Sequence, residues 1–227
     1  MPTQTFFRLP EKKQERVLNA AITEFSQRNV EQGRISNIVR DAGISRGSFY
    51  QYFESKDDLY VYMFETLRER RGEYTQSAFD YYKTAPFLDF FAEFYLLDSQ
   101  FLLAHPLHIE LGKIMYSYGH GVSRRLIEAV QGRYRDIFLV AIDYDQDLGR
   151  IRRDVDAQIL ADLCTHFMTD IFIFQNFAHM LSINALEKHL QATIALLRYG
   201  TEGRLFDEAS SINVDASGVV VDEAKNQ

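Results

Sequence analysis

Apolar side chains recur at spacings of three and four along most of the chain, the period of one helix face. Pro10 suits the first turn of a helix, where its missing N–H costs nothing. Val17, Leu18, Ala21, Ile22 and Phe25 then form a stripe that predicts a helix to about Arg28, after an irregular arm over residues 1–9. Ile38, Val39 and Ala42 give a second, short helix its buried face, and Gly43 ends it by reaching the left-handed backbone of a helix terminus. Ser45 is an N-cap for a helix over 46–53, with Ile44 before it and Phe49 four residues after it at hydrophobic-staple spacing. That helix is too short to stand alone and holds because Phe49 and Phe53 face inward. Ser55 caps the next, with Asp57 and Asp58 at the positive end of its dipole, and Leu59, Tyr62, Met63, Phe64 and Leu67 carry it past Arg71. The charges of the run RERRGEY around Gly72 read as solvated.

Pro86 opens a helix to about Ala104 and Pro106 a shorter one to about Tyr118; Gly119 and Gly121 break the chain before a long helix over 122–142. A loop over 143–156 follows, with Asp156 as a cap. The predicted helix over 157–181 is apolar on nearly all sides. The last, over 185–199, carries a heptad-type seam of Leu186, Leu190, Ile194 and Leu197. No strand-period pattern of useful length occurs, so the expected fold is all-α. Three parts are expected: a small helical domain over 1–56, a larger one over 57–200, and a small, acidic, aperiodic tail over 201–227, expected to be disordered.

Of the 227 residues, 46% are hydrophobic, enough for a sizeable core. No apolar run follows a basic start and none is long enough to span a bilayer, so no membrane partner and a cytoplasmic location are expected. The lone Cys164 sits in an apolar helical pattern and reads as a buried spectator. A net charge of −7 argues against a nucleic-acid partner until it is divided: residues 1–56 hold nine Lys or Arg against six Asp or Glu, giving +3, so the rest carries −10. A basic module on an acidic body puts the electrostatic footprint at the N-terminal end.

The stretch AGISRGSFYQYFESKDDL at residues 42–59 resembles the helix-turn-helix signature of the TetR family of bacterial transcriptional regulators. Gly43, Ser45, Gly47, Phe49, Tyr50, Tyr52, Phe53, Ser55, Lys56 and Leu59 stand where that family's pattern wants them. The resemblance implies a helix-turn-helix DNA-binding domain followed by a larger effector-binding and dimerisation domain. Its partners would be a palindromic double-stranded DNA operator, a second copy of the chain and a small effector whose entry releases the DNA. It places Ser48, Tyr50, Tyr52 and Lys56 on phosphates, with Arg46, Gln51 and Ser36 facing base edges, Ser45 capping the recognition helix and Gly47 allowing close backbone approach. A lysine at a helix start is electrostatically misplaced unless an anion arrives, which fits Lys56 meeting a phosphate. At Arg34 the chain departs from the family, which has Thr or Ser capping the first helix of the motif. Either Ser36 takes over part of that role or Arg34 reaches a phosphate.

The same resemblance implies a pocket between the central helices and a four-helix dimer interface. Phe64, Phe91, Phe94, Tyr95 and Met115, with Tyr116, Tyr134, Phe138, Phe167 and Met168, are the candidate pocket residues. Their aromatic density favours an apolar or aromatic effector. A phosphorylated one would need inward-facing Arg or Lys, and the basic residues of the body, such as Arg124, Arg125, Arg152 and Arg153, fall at helix ends. Phe167, Ile171 and Phe174 with Leu186, Leu190, Ile194 and Leu197 are the candidate interface. No nucleotide loop, Cys-x-x-Cys or His-Glu-x-x-His occurs, so no enzyme activity, cofactor or metal is expected; His105, His108 and Glu110 are too few and too loosely spaced. The other class compatible with these features is a helical small-molecule-binding or scaffold protein that has lost DNA binding.

Overall fold

A computed structural model describes residues 2–79, 84–118, 121–169 and 183–201, and every regular element among them is a helix. In chain order these are α1 (Gln4–Phe7), α2 (Glu11–Phe25), α3 (Ile35–Ala42), α4 (Arg46–Tyr52), α5 (Lys56–Phe79), α6 (Phe87–Ala104), α7 (Pro106–Ser117), α8 (Gly121–Asp147), α9 (Ala157–Thr169) and α10 (Ile183–Thr201). The expected tail over 201–227 and the second half of the helix expected over 157–181 lie outside the described residues, apart from Thr201 at the end of α10.

Local signals set the first four helices. Gly43 ends α3 with φ of 64°, and the amide of Ile44 donates to the Val39 carbonyl at 3.0 Å, a Schellman closure. Ser45 Oγ accepts from the Ser48 amide at 3.0 Å and caps α4. The arm is not irregular. Its residues form α1, whose Phe6 is fully buried against Tyr52, Phe53 and Tyr62, and Thr3 closes the end of α4 by donating to the carbonyls of Gln51 and Tyr52.

The corner at Arg34 is solved from outside the motif. Arg34 takes the N-cap position of α3 with no side-chain cap bond, and Ser36 does not supply one. Buried Glu24 of α2 does, accepting from the Arg34 amide at 2.9 Å, from Asn37 Nδ2 at 3.0 Å and from Arg28 Nη1 at 3.2 Å. Glu24→Ala strands these donors and should cost about 2–3 kcal/mol, read as a lowered urea midpoint, with Glu24→Gln losing less.

Two apolar cores result. One gathers α1 to α5 around Phe6, Phe25, Phe49, Phe53 and Tyr60; the other gathers α6, α8, α9 and α10 around Phe87, Phe91, Phe94 and Phe138. Helix α5 spans both regions. Leu111 of α7 and Val122 of α8 also enter the first core, and Tyr60 bonds Ser123 at 3.1 Å, so the body grips the N-terminal bundle through α7 and α8. Helix α8 runs five residues beyond the expected end at Ile142 because Asp145, buried, is needed there. It accepts from the Phe87 amide at 2.6 Å, capping α6, and from Arg150 Nη1 at 3.2 Å.

Two readings are corrected by this packing. Leu190, Ile194 and Leu197 are buried in the second core, where α10 packs on α6 of the same subunit, so the heptad-type seam is internal. Phe167 packs against that core as well. Ile171, Phe174 and the side chain of Leu186 lie outside the described residues. Nor is RERRGEY simply a solvated stretch: Arg70 pairs with Glu15 of α2, and Arg71 pairs through Nε and Nη2 with Asp98 of α6, which is 1% exposed.

Candidate functional site

Helix α4 presents its outer face to solvent. Phe49 is fully buried beneath it, and Arg46, Gly47, Tyr50 and Gln51 are exposed, with Ser36 exposed on the first turn of α3 and Ser45 at the cap. Arg46 Nη2 donates to the Tyr50 hydroxyl at 3.4 Å and its guanidinium lies 5.8 Å from that ring, so the pair stands together on the surface. A Cβ at Gly47 would meet only Ser45 Oγ, at 3.8 Å. Nothing inside the chain requires glycine there, so the open space faces whatever approaches α4.

Two of the expected phosphate contacts have other partners. Tyr52 is 4% exposed, in contrast to 48% for Tyr50, and packs on Phe6 with Lys13 Nζ 5.6 Å from its ring. It belongs to the support of α4. Lys56 Nζ donates to the carbonyls of Glu31 at 2.8 Å and Gly33 at 2.9 Å, which answers a charge that looked misplaced at a helix start. This clamp ties α5 to the turn before α3. Gly33 fits that turn because a Cβ would come within 2.6 Å of the Phe25 ring.

The second feature is a cavity of about 240 Å³ bounded by α5, α6, α7 and α8, with Met168 of α9 at one side. Of the ten candidate residues, Phe64, Phe94, Met115, Tyr116, Tyr134 and Met168 line it. Phe91, Tyr95 and Phe138 are instead buried in the core behind the wall, and Phe167 packs against that core. What the sequence reading missed is charge: Arg68, Arg71, Arg133, Glu65 and His108 also line the cavity. Arg68 Nε is held by Glu65 at 2.8 Å. Burial pulls the Arg71 guanidinium toward neutrality, but Asp98 beside it prevails and holds it above the ordinary arginine value.

His108 stacks with His105 at 5.2 Å, and His105 Nδ1 lies 2.7 Å from the Phe101 carbonyl. Burial first, then His105, Arg71 and Arg70, pushes His108 down to about 4 from its ordinary 6.5. It is neutral at pH 7. An unfolded histidine takes up its proton near pH 6.5 whereas folded His108 does so only near 4, so its contribution to stability is complete above about 6.5 and is lost as pH falls to about 4. Urea midpoints measured across that window should fall less steeply in His108→Phe. Cys164 is buried and its thiol is pushed up to about 12 by desolvation, leaving it protonated and inert. Among the described residues, no three His, Cys, Asp or Glu side chains are grouped to hold a metal, and no helix is long and apolar enough to cross a membrane.

Comparison with known proteins agrees with this layout. Residues 17–63 match the family described as bacterial regulatory proteins, tetR family. The chain is similar to the uncharacterised helix-turn-helix regulator YdgC of Bacillus subtilis, 37% identical over 62 residues, which are 27% of this chain and 32% of that one. The matched part spans about a third of the curated relatives. In fold, a TetR family regulator from Chloroflexus aurantiacus aligns with 90% of this chain and 100% of its own at a TM-score of 0.61 and 23% identity. The regulator FadR of B. subtilis, solved with stearoyl-CoA, aligns with 82% of this chain and 98% of its own at 0.67 and 17%. The helix-turn-helix over residues 17–63 is therefore the N-terminal domain of the tetR family of bacterial regulatory proteins.

Proposed function

We propose that the chain is a ligand-responsive transcriptional regulator, a repressor that binds a palindromic operator as a homodimer and leaves it when a small effector enters the cavity. The observation that carries this reading is the outer face of α4, where Arg46, Tyr50 and Gln51 stand exposed around a glycine with no internal purpose. Arg46 and Gln51 have the donor geometry to read base edges; Ser48 and Tyr50 are placed for phosphates. Lys56 keeps one ammonium hydrogen beyond its two carbonyl bonds for the same backbone. Two copies would set their α4 helices about 34 to 36 Å apart to enter successive major grooves.

The cavity supports the effector half. FadR, a relative in fold, was solved with stearoyl-CoA, and the wall here is largely apolar and aromatic. Phe64, Leu67, Arg68 and Arg71 put α5 on that wall, and the same helix starts three residues after Phe53, which is buried in the core beneath α4. A ligand that spreads α5 from α7 and α8 shifts α4 through α5, and also through Leu111 and Val122 in the N-terminal core. Linkage then requires the inducer to bind the DNA-free dimer more tightly than the complex.

A gel-shift with the DNA flanking its own gene tests the reading. Arg46→Ala should lose about 1–3 kcal/mol mainly at one base pair, whereas Lys56→Ala should weaken all sequences alike and lower the salt slope by about one. If no flanking DNA is retarded, the chain falls into the class of helical binders without a DNA site.

A further inference from the structure

The charges on the cavity wall do not cancel. Arg68 is paired with Glu65, and Arg71 with Asp98 behind it, while Arg133 has no ion pair or hydrogen bond in the described structure. His108, neutral at pH 7, adds nothing. Three guanidiniums against two carboxylates leave one positive charge, and it sits on the one arginine with every donor uncommitted. Next to it in sequence, Tyr134 also lines the cavity, and its ring packs on Phe94 and Phe138. The remaining wall, with Leu67, Leu102, Leu126 and Ile137, is apolar apart from the hydroxyls of Thr75 and Tyr116.

We propose that the cavity takes an amphipathic monocarboxylate: an apolar chain or ring body against the leucines and phenylalanines, and one carboxylate at Arg133 beside the Tyr134 hydroxyl. The inference rests on reading this cavity as the effector site and adds the class of effector. The charge count decides the head. Arg133 is exposed where it lines the cavity, so its guanidinium keeps water until a carboxylate takes its free donors. A neutral acceptor gives it no ion pair, and a dianionic phosphate overcompensates a single positive charge. The volume decides the body, since about 240 Å³ lies below the roughly 300–1,000 Å³ of drug-sized pockets and suits a small single chain.

Calorimetric titration of the full-length protein, without DNA, with decanoate, decanol and decyl phosphate tests the assignment. Decanoate should bind at least about tenfold more tightly than decanol, a 1.4 kcal/mol preference. Arg133→Gln should bring the decanoate-to-decanol ratio near one while decanol affinity holds, and Arg133→Lys should restore part of the preference. Equal binding of acid and alcohol, an unchanged ratio in Arg133→Gln, tighter binding of the phosphate, or no binding of any probe overturns the proposal. The gel-shift outcome is independent of these titrations: a protein that binds decanoate but no DNA refutes the regulator and keeps the ligand class, and one that binds DNA with no preference for the acid does the reverse.

Discussion

Arg71→Met should lower unfolding stability by about 3–5 kcal/mol, because it strands the Asp98 carboxylate, 1% exposed, in the protein interior. Asp98→Ala should cost less. Its orphaned partner keeps a quarter of its side-chain surface exposed and lines the cavity, where water can solvate the guanidinium. Replacing both, Arg71→Met with Asp98→Leu, should recover most of the loss, since a buried pair is often no better than an apolar pair of similar volume. Urea unfolding of the three variants checks the order. Near-equal losses in the two single variants would mean that Arg71 is as desolvated as Asp98. The pair also joins α5 to α6 beside the cavity, so the double variant separates stability from signalling. It should fold but respond differently to an effector, because α5 and α6 have lost the ion pair that joins them beside the cavity.

The N-terminal bundle was legible because its determinants are local. Gly43, Ile44, Ser45 and Phe49 act within a span of seven residues, and each carries its conformational preference with it. The corner at Arg34 was not legible, because the carboxylate that completes it stands ten residues upstream at Glu24, and nothing in the spacing of a glutamate says that its helix will turn it inward. Charge on the cavity wall was hidden for the same reason: Arg71 and Asp98 are 27 residues apart, and a run of charges reads as solvated until its partner is known. Tyr52 and Tyr50 are two residues apart on one helix, and the sequence treats them alike. The burial of one and the exposure of the other depend on Phe6, which the arm brings over the end of α4. The seam of α10 shows the limit of periodicity. Leu190, Ile194 and Leu197 do form an apolar stripe, but the period states only that a stripe is covered, and the cover is α6 of the same subunit.

That correction moves the proposed dimer contact to the side chains left outside. Leu196 of α10 is 75% exposed, and on α9 Ile159 is 69% exposed with Leu163, four residues on, exposed beside it. Leu196→Asp should therefore give a monomer in sedimentation at micromolar concentration with an unchanged helical spectrum, since a charge at the centre of an apolar contact costs the association and not the fold. Loss of the second half-site should then weaken operator binding by about 10²–10⁴-fold, the scale of a broken bivalent contact. Leu190→Ala should do the opposite. It opens a cavity against α6, costs about 2–5 kcal/mol of unfolding stability and leaves the folded fraction dimeric. A Leu196→Asp protein that still sediments as a dimer would place the contact elsewhere. A Leu190→Ala protein that dissociates while keeping its stability would return it to the inner seam.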